Sequence, residues 1–433
     1  MKIVEREIKD TKGCDERRHV SCLTSPVVSR LTSHAPTPWP KVKLGEIADL
    51  DLGKMLDQKK NKGTPRHYLA NIDVRWGYFN LGNLKEMLFK DSELERYGLR
   101  YGDIVMCEGG EPGRCAIWKE QRLGVMYQKA LHRIRPHEGI DFRFLYYYFL
   151  LLGRKNGFAG LFTGSTIKHM PKDKLALVEI PLPPLPVQRR IADVLSAYDD
   201  LIENNRRRIA ILEETARLAY RKWFVERHFP GHECVSIEDG IPHGWEKVHL
   251  GDCVVTNLQS YRATELPSQI NYIDISSVKE GRVLEKKHLC SHEAPGRARR
   301  IARSGDVIWS NVRPNLKSYA LILEPEADDV FSTGFTILTP KSIPYSFLYF
   351  FVSTDEFVSY LDNMVTGATY PAVRPGDFEQ AELLLPNREL LTRFHTLFEP
   401  LLWQCEALVR QNAALTTARD MLLPRLMKGE VNL

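Results

Sequence analysis

The chain has 433 residues, 43% of them hydrophobic and 10% aromatic, enough for two or three domains each with its own core. A formal net charge of +5 is too small to identify a nucleic-acid partner, and eight cysteines with no CxxC pair fit free thiols in a reducing compartment, not a disulfide-built secreted domain. The charged start Met1-Lys-Ile-Val-Glu-Arg-Glu7 lacks an apolar signal core and the run Phe144 to Leu152 is too short to span a bilayer, so the expectation is a soluble, cytoplasmic protein with no membrane partner.

Residues 1–36 are polar, run into Pro36-Thr-Pro-Trp-Pro40, and read as a poorly ordered N-terminal arm. In residues 37–184 the runs Val42 to Leu44, His67 to Val74 and Asp103 to Cys107 read as strands, punctuated by Gly63, Gly77, Gly82 and the Gly109-Gly-Glu-Pro-Gly113 turn. Phe142 to Leu152, with helical continuation to Asn156, predicts a buried helix, which makes the module α+β. Core packing accounts for Tyr146-Tyr147-Tyr148 better than base stacking does.

A proline-rich lead-in (Pro181, Pro183, Pro184, Pro186) then opens a long charged helix over 185–229. Alternating steps of three and four pick out Leu195, Tyr198, Ile202, Asn205, Ile209, Leu212, Ala216, Ala219 and Trp223, eight of nine apolar or aromatic, which is a coiled-coil seam. Some forty helical residues make a rod of roughly 60 Å, which needs a partner.

After a linker at 230–243 and a second module at 244–386, the segment 387–433 supplies that partner. A step of 203 from Leu195 reaches Phe398 and gives Leu401, Cys405, Leu408, Asn412, Leu415, Arg419, Leu422 and Leu426, with seven of the nine apolar. The same step takes Gly102-Asp-Ile-Val to Gly305-Asp-Val-Ile308 and Thr163-Gly-Ser-Thr-Ile167 to Thr366-Gly-Ala-Thr-Tyr370, while Trp39-Pro-Lys-Val-Lys-Leu-Gly-Glu46 returns as Trp245-Glu-Lys-Val-His-Leu-Gly-Asp252. The chain is therefore expected to be a tandem duplication, two copies of a globular α+β module followed by a long helix, with the helices paired as an antiparallel coiled coil.

From Trp39 to Leu433 the sequence resembles the DNA-sequence specificity subunit of Type I restriction-modification systems. The resemblance rests on the Trp-x-x-Val-x-Leu-Gly-Asp/Glu openings, the Gly-Asp strands, the Thr-Gly-x-Thr loops, the Leu-Pro-x-x-x-x-Gln-x-x-Ile entry to the first helix and the duplication. The second helix departs, with Leu391-Thr392-Arg393-Phe394 where the first has Gln188-Arg189-Arg190-Ile191. The resemblance implies that each module is a target-recognition domain reading half of an asymmetric bipartite site in double-stranded DNA. It also implies that the helices space the modules and dock two methyltransferase subunits, with motor-endonuclease subunits joining for restriction. S-adenosylmethionine, ATP and magnesium would belong to those partners, leaving this chain with no cofactor or metal and no catalytic residue.

The loops after the Gly-Asp strands are the places where a shared scaffold carries different polar chemistry: Glu108 and Arg114 in the first copy, and Asn311, Arg313, Asn315 and Lys317 in the second. Arg suits guanine, Asn suits adenine and Glu accepts from cytosine. Thr166 with Lys168, and Thr369 with Arg374, mark a second pair of candidate loops, the two cations being suited to phosphate. An ordinary solvent-exposed turn explains any one of these residues about equally well.

Other clusters carry less. Arg297, Arg299, Arg300 and Arg303, and Arg206-Arg207-Arg208, read either as phosphate contacts or as solvated faces. His288, Cys290 and His292 fall short of a zinc ligand set, and Asp274 with Glu285-Lys-Lys287 makes only a chance-level nuclease pattern. There is no phosphate loop, no G-x-G-x-x-G opening a helix and no Asn/Asp-Pro-Pro-Tyr motif. Two functions survive: a DNA-reading subunit of a larger enzyme, or a coiled-coil scaffold with protein-binding modules.

Overall fold

The computed structural model describes residues 39–431 except 56, 58, 60, 165–167, 263 and 366–370. The arm expected over 1–36, and Thr166 and Thr369, lie outside the described residues.

The duplication is visible in the sheets. In the first copy the order is Ala48–Leu52, Leu131–Pro136, Ile104–Cys107 and Cys115–Ile117; in the second it is Val254–Thr256, Phe335–Pro340, Asp306–Ser310 and Tyr319–Ile322, antiparallel throughout in both. A second sheet repeats a parallel pair, Thr64–Leu69 with Met126–Tyr127 and Gln269–Ile273 with Asp329–Ser332. Each copy is closed by pairing its start with its end, Lys41–Lys43 with Glu179–Pro181 and Glu246–His249 with Glu382–Leu385, just before a long helix begins.

The repeated Gly-Asp has a physical cause. Gly102 and Gly305 take φ of 87° and 89°, a left-handed conformation that disfavours any Cβ. The following carboxylates, of Asp103 and Asp306, each accept from a backbone N–H three residues back (Arg100, 2.8 Å; Arg303, 2.7 Å), fixing the turn that launches the central strand.

Two expected strands need correction. His67 to Val74 is not continuous: the strand ends at Leu69, because the Asp73 carboxylate accepts from Ala70 N at 2.8 Å and winds Asn71–Asp73 into a 3₁₀ turn. In the run Val42 to Leu44 the strand is Lys41–Lys43, and Leu44 opens a short helix. The helix read from Phe142 spans Phe142–Arg154 and buries Tyr146 and Tyr147, with the Tyr148 hydroxyl donating to Glu179 O at 3.1 Å, so the tyrosines pack the core.

The central helix runs Leu185–Tyr220 and continues as one π-helical turn, Arg221–Val225; the C-terminal helix runs Arg388–Met427, with the Asn387 side chain accepting from Leu390 N at 2.9 Å. All eighteen seam positions named above are buried or half-buried. Contacts climb one helix as they descend the other, so the pair is antiparallel. Ile191 and Leu195 meet Leu423 and Leu426, Ile209 meets Cys405 and Leu408, and Phe224 meets Phe394. At the middle layer, Asn205 Nδ2 donates to Asn412 Oδ1 and to Gln411 Oε1, both at 3.0 Å. An Asn beneath an otherwise apolar seam favours the one register that gives it a partner.

The departure between the two helix starts is a departure in contacts. Gln188, 2% exposed, accepts from Asp141 N at 3.0 Å and donates to Pro183 O at 2.9 Å, whereas the matching Leu391 sits in an apolar cluster.

Candidate nucleic-acid interface

The strand after each Gly-Asp turn carries a loop at its far end, and in each copy a second loop closes on it. Met170 N donates to Glu108 O at 2.8 Å, and one step of 203 later Val373 N donates to Asn311 O, also at 2.8 Å. The two candidate loops of each module, about sixty residues apart in sequence, are thus one surface. Nothing in local sequence announces this pairing; it follows from the sheet order.

In the first module the surface carries mixed charge, Glu108 and Glu111 with Arg114 and Lys168. Glu108 Oε2 lies 3.1 Å from His169 Nδ1, and Glu111 accepts from Trp76 Nε1 at 3.2 Å. Arg114 turns inward, donating to Asn71 O at 2.8 Å and pairing with Glu111 at 2.6 Å, so its guanidinium braces the loop. Lys168 is exposed, 5.8 Å from the Phe162 ring centroid.

The second module differs. Asn311 is half-buried and accepts from Thr336 Oγ1 at 2.7 Å, which gives its amide oxygen a structural partner. Arg313 and Asn315 are exposed, and among the described residues the Arg313 guanidinium has no hydrogen-bond or ion-pair partner. Its backbone N–H donates to Pro371 O at 2.9 Å, tying the two loops together. Lys317 reaches Asp355 at 2.6 Å; Arg374 is exposed, its N–H donating to Asp377. Arg217 and Arg221, one helical turn apart on the central helix, join Lys279, Arg282 and Lys317 around a cleft of about 690 Å³ beside this module, which Glu213, Glu280, Asp355 and Glu356 also line, so its charge is mixed. The four-residue spacing of Arg217 and Arg221 was the only sequence signal for them.

The arginine clusters find local partners. Arg206 lies over the Tyr78 ring at 4.8 Å, Arg207 pairs with Glu203 at 3.0 Å, Arg297 donates to Tyr272 Oη at 3.0 Å, and Arg300 donates to Ser260 Oγ at 3.1 Å. Cys290, His292 and Glu293 bring potential ligand atoms within 4.8 Å of one another, one fewer than a structural zinc site uses, and His288 is outside the group.

Asp274 and Lys287 do meet, at 2.6 Å, but as an ion pair, with Ser276 and Ser277 taking the other carboxylate oxygen. Burial opposes ionisation of Asp274, and the bonds from Lys287, Ser276 and Ser277 outweigh it, holding the carboxyl at about 2 against an ordinary 3.8. A depressed carboxyl stabilises the fold fully above its unfolded value and loses that stabilisation as the pH falls towards 2. Asp274→Asn is therefore expected to cost about 2 kcal/mol at pH 7. In urea unfolding the gap to the unaltered chain should close at pH 2; an equal gap at both pH values would count against the pair.

Residues 36–214 match the family model described as Type I restriction modification DNA specificity domain. Among curated relatives, the Type I restriction enzyme MjaIX specificity subunit of Methanocaldococcus jannaschii is 26% identical over 92% of this chain and 94% of its own length. The MjaVIII specificity subunit of the same organism is 23% identical over 82% of this chain and 84% of its own. The chain thus carries a Type I restriction-modification DNA specificity domain over residues 36–214 and is similar over most of its length to Type I restriction enzyme specificity subunits. The crystal structure of a Type I restriction-modification S subunit from M. genitalium shares the fold, with a TM-score of 0.56 over 92% of this chain and 98% of that one at 16% identity. A specificity subunit is a recognition component and not itself an enzyme. Among the described residues no helix is long and apolar enough to cross a membrane.

Proposed function

We propose that this chain is a specificity subunit that reads an asymmetric bipartite site in double-stranded DNA, one half through each module. The observation that carries this is the repeated loop pair, built on the same backbone bond at Glu108–Met170 and Asn311–Val373 yet presenting Glu, His and Lys in one copy and Arg and Asn in the other. Equal scaffolds with unequal polar surfaces suit two readers of different sequences. The test exchanges residues 37–184 for the corresponding module of another such subunit and sequences the methylome of cells that also express the partner subunits. One half of the methylated motif should be replaced and the other kept; a change in both halves rejects independent reading.

The helices serve as spacer and as docking surface. Leu201, Ile211 and Leu218 on the central helix, and Leu397 and Met421 on the C-terminal one, are 49–69% exposed and are apolar side chains that a docked subunit would cover. Two methyltransferase subunits are the proposed occupants, with motor-endonuclease subunits completing the restriction complex in the cytoplasm. S-adenosylmethionine, ATP and magnesium belong to those partners.

Arg313 is the residue best placed to grip a base edge. Arg313→Ala is expected to relax the methylated motif at one base pair, at a cost of about 1–3 kcal/mol in binding the cognate site. Equal weakening on all sequences would mark it as a phosphate contact instead.

A further inference from the structure

We propose that Leu316 reads a thymine methyl group in the second module's half-site, close to the base pair that Arg313 contacts. The assignment rests on this loop being a base-reading surface. Leu316 is 53% exposed at the tip of a turn, with Asn315 before it and Lys317 after it. A single exposed leucine is unremarkable in a loose loop, but this loop is not loose. Leu316 N donates to Arg313 O and Lys317 N to Pro314 O, both at 2.9 Å, and Pro314 is buried. Arg313 and Lys317 bracket the turn at φ of 51° and 52°, a left-handed conformation that costs a residue with a Cβ about 1–2 kcal/mol. Lys317 is further clamped to Asp355. Backbone strain and an ion pair thus hold an apolar side chain out in water, an arrangement that gains nothing until something apolar covers it.

Base edges offer few apolar groups. Thymine alone presents a methyl in the major groove, and a leucine is complementary to it where a polar side chain is not. Leu316 also forms one wall of an open hollow of about 620 Å³ whose other apolar walls are Val312, Ile275, Val278 and Leu284 and whose charged ones are Asp274, Lys279, Arg297 and Arg313, so a methyl placed against Leu316 meets further apolar surface. Arg313, three residues back across a tight turn, reaches a base pair one or two steps away.

The first module has no counterpart. Its loop, Glu108 to Arg114, contains no leucine, isoleucine or valine. Between the strand-paired residues Met106 and Cys115 lie eight residues, and between Trp309 and Tyr319 nine, so the second loop is one residue longer. Thymine-methyl reading by this loop is therefore confined to one half-site.

The test uses the full complex with its methyltransferase subunits. The motif is first defined from the methylome, then each thymine of the second half-site is replaced in turn by uracil in duplexes offered to the unaltered, Leu316→Ala and Leu316→Met complexes. One uracil should weaken binding by the unaltered complex about fourfold, the worth of one sheltered methyl. It should have no effect on Leu316→Ala and keep most of its effect on Leu316→Met. A uracil penalty of the same size in Leu316→Ala, no thymine whose methyl matters, or an equal loss on all duplexes overturns the assignment. A bipartite motif with a silent uracil scan would reject Leu316 as reader while leaving bipartite reading intact. A motif without two halves would reject both.

Discussion

Phe394→Ala is expected to destabilise the end of the helix pair that carries the second module by about 4 kcal/mol, the largest effect of any single substitution considered. The ring is fully buried and lies 4.6–5.9 Å from the ring centroids of Phe398, Phe224, Trp223 and Tyr220, so it joins the central helix, the C-terminal helix and, through Phe350, the module's own helix Tyr345–Val352. Truncation leaves a cavity whose walls are rigid rings that cannot collapse into it. Because two modules need not unfold together, the measurement should follow the local transition by hydrogen exchange of the backbone amides around Phe394 in denaturant. A loss below 1 kcal/mol would show that the neighbouring rings repack.

At the opposite end the joint is polar, and Arg419→Ala is expected to cost about 3 kcal/mol. The Arg419 side chain, 11% exposed, pairs with Asp199 and with Asp420 (2.8 Å); Asp199 also accepts from Tyr147 Oη at 2.7 Å, and Asp420 pairs with Arg154. Removing the guanidinium strands a half-buried carboxylate, and that uncompensated charge accounts for most of the loss. A step of 203 maps Asp199, Tyr147 and Arg419 onto Leu402, Phe350 and Ala216, all within one apolar cluster at the other end. The triple variant Asp199→Leu, Tyr147→Phe, Arg419→Ala copies that end and should recover most of the lost stability. If the triple variant melts no higher than Arg419→Ala, the polar joint contributes more than charge compensation.

These two joints also explain how far the sequence could be read. The seams were legible because period-3.5 burial is a one-dimensional signal, and a step of 203 showed that the rods were mates. Asn205 and Asn412 could be seen as the odd positions of their seams, and antiparallel pairing allowed them to meet. The strand read across His67 to Val74 was misjudged because the Asp73 side-chain bond to Ala70 outcompetes strand pairing there, a local capping choice that hydrophobic pattern does not record. Arg419, read as one of two polar breaks in the second seam, is there because Asp199 and Asp420 surround it, a partnership created by helix packing.

The reading surface divides the same way. Loop identity, the duplicated scaffold and the candidates Arg313 and Lys168 were visible in sequence, since a Gly-Asp turn and the residues after it are contiguous. That Arg114 and Asn311 face inward, that His169 stands against Glu108, and that Leu316 is held outward by two left-handed residues depend on which strands lie side by side. By itself the sequence determined the architecture, because repeats and apolar periodicity are carried in chain order. Only the tertiary structure decided which polar side chains remain free for a ligand, because hydrogen bonds and ion pairs between residues 25 to 61 positions apart consume the others.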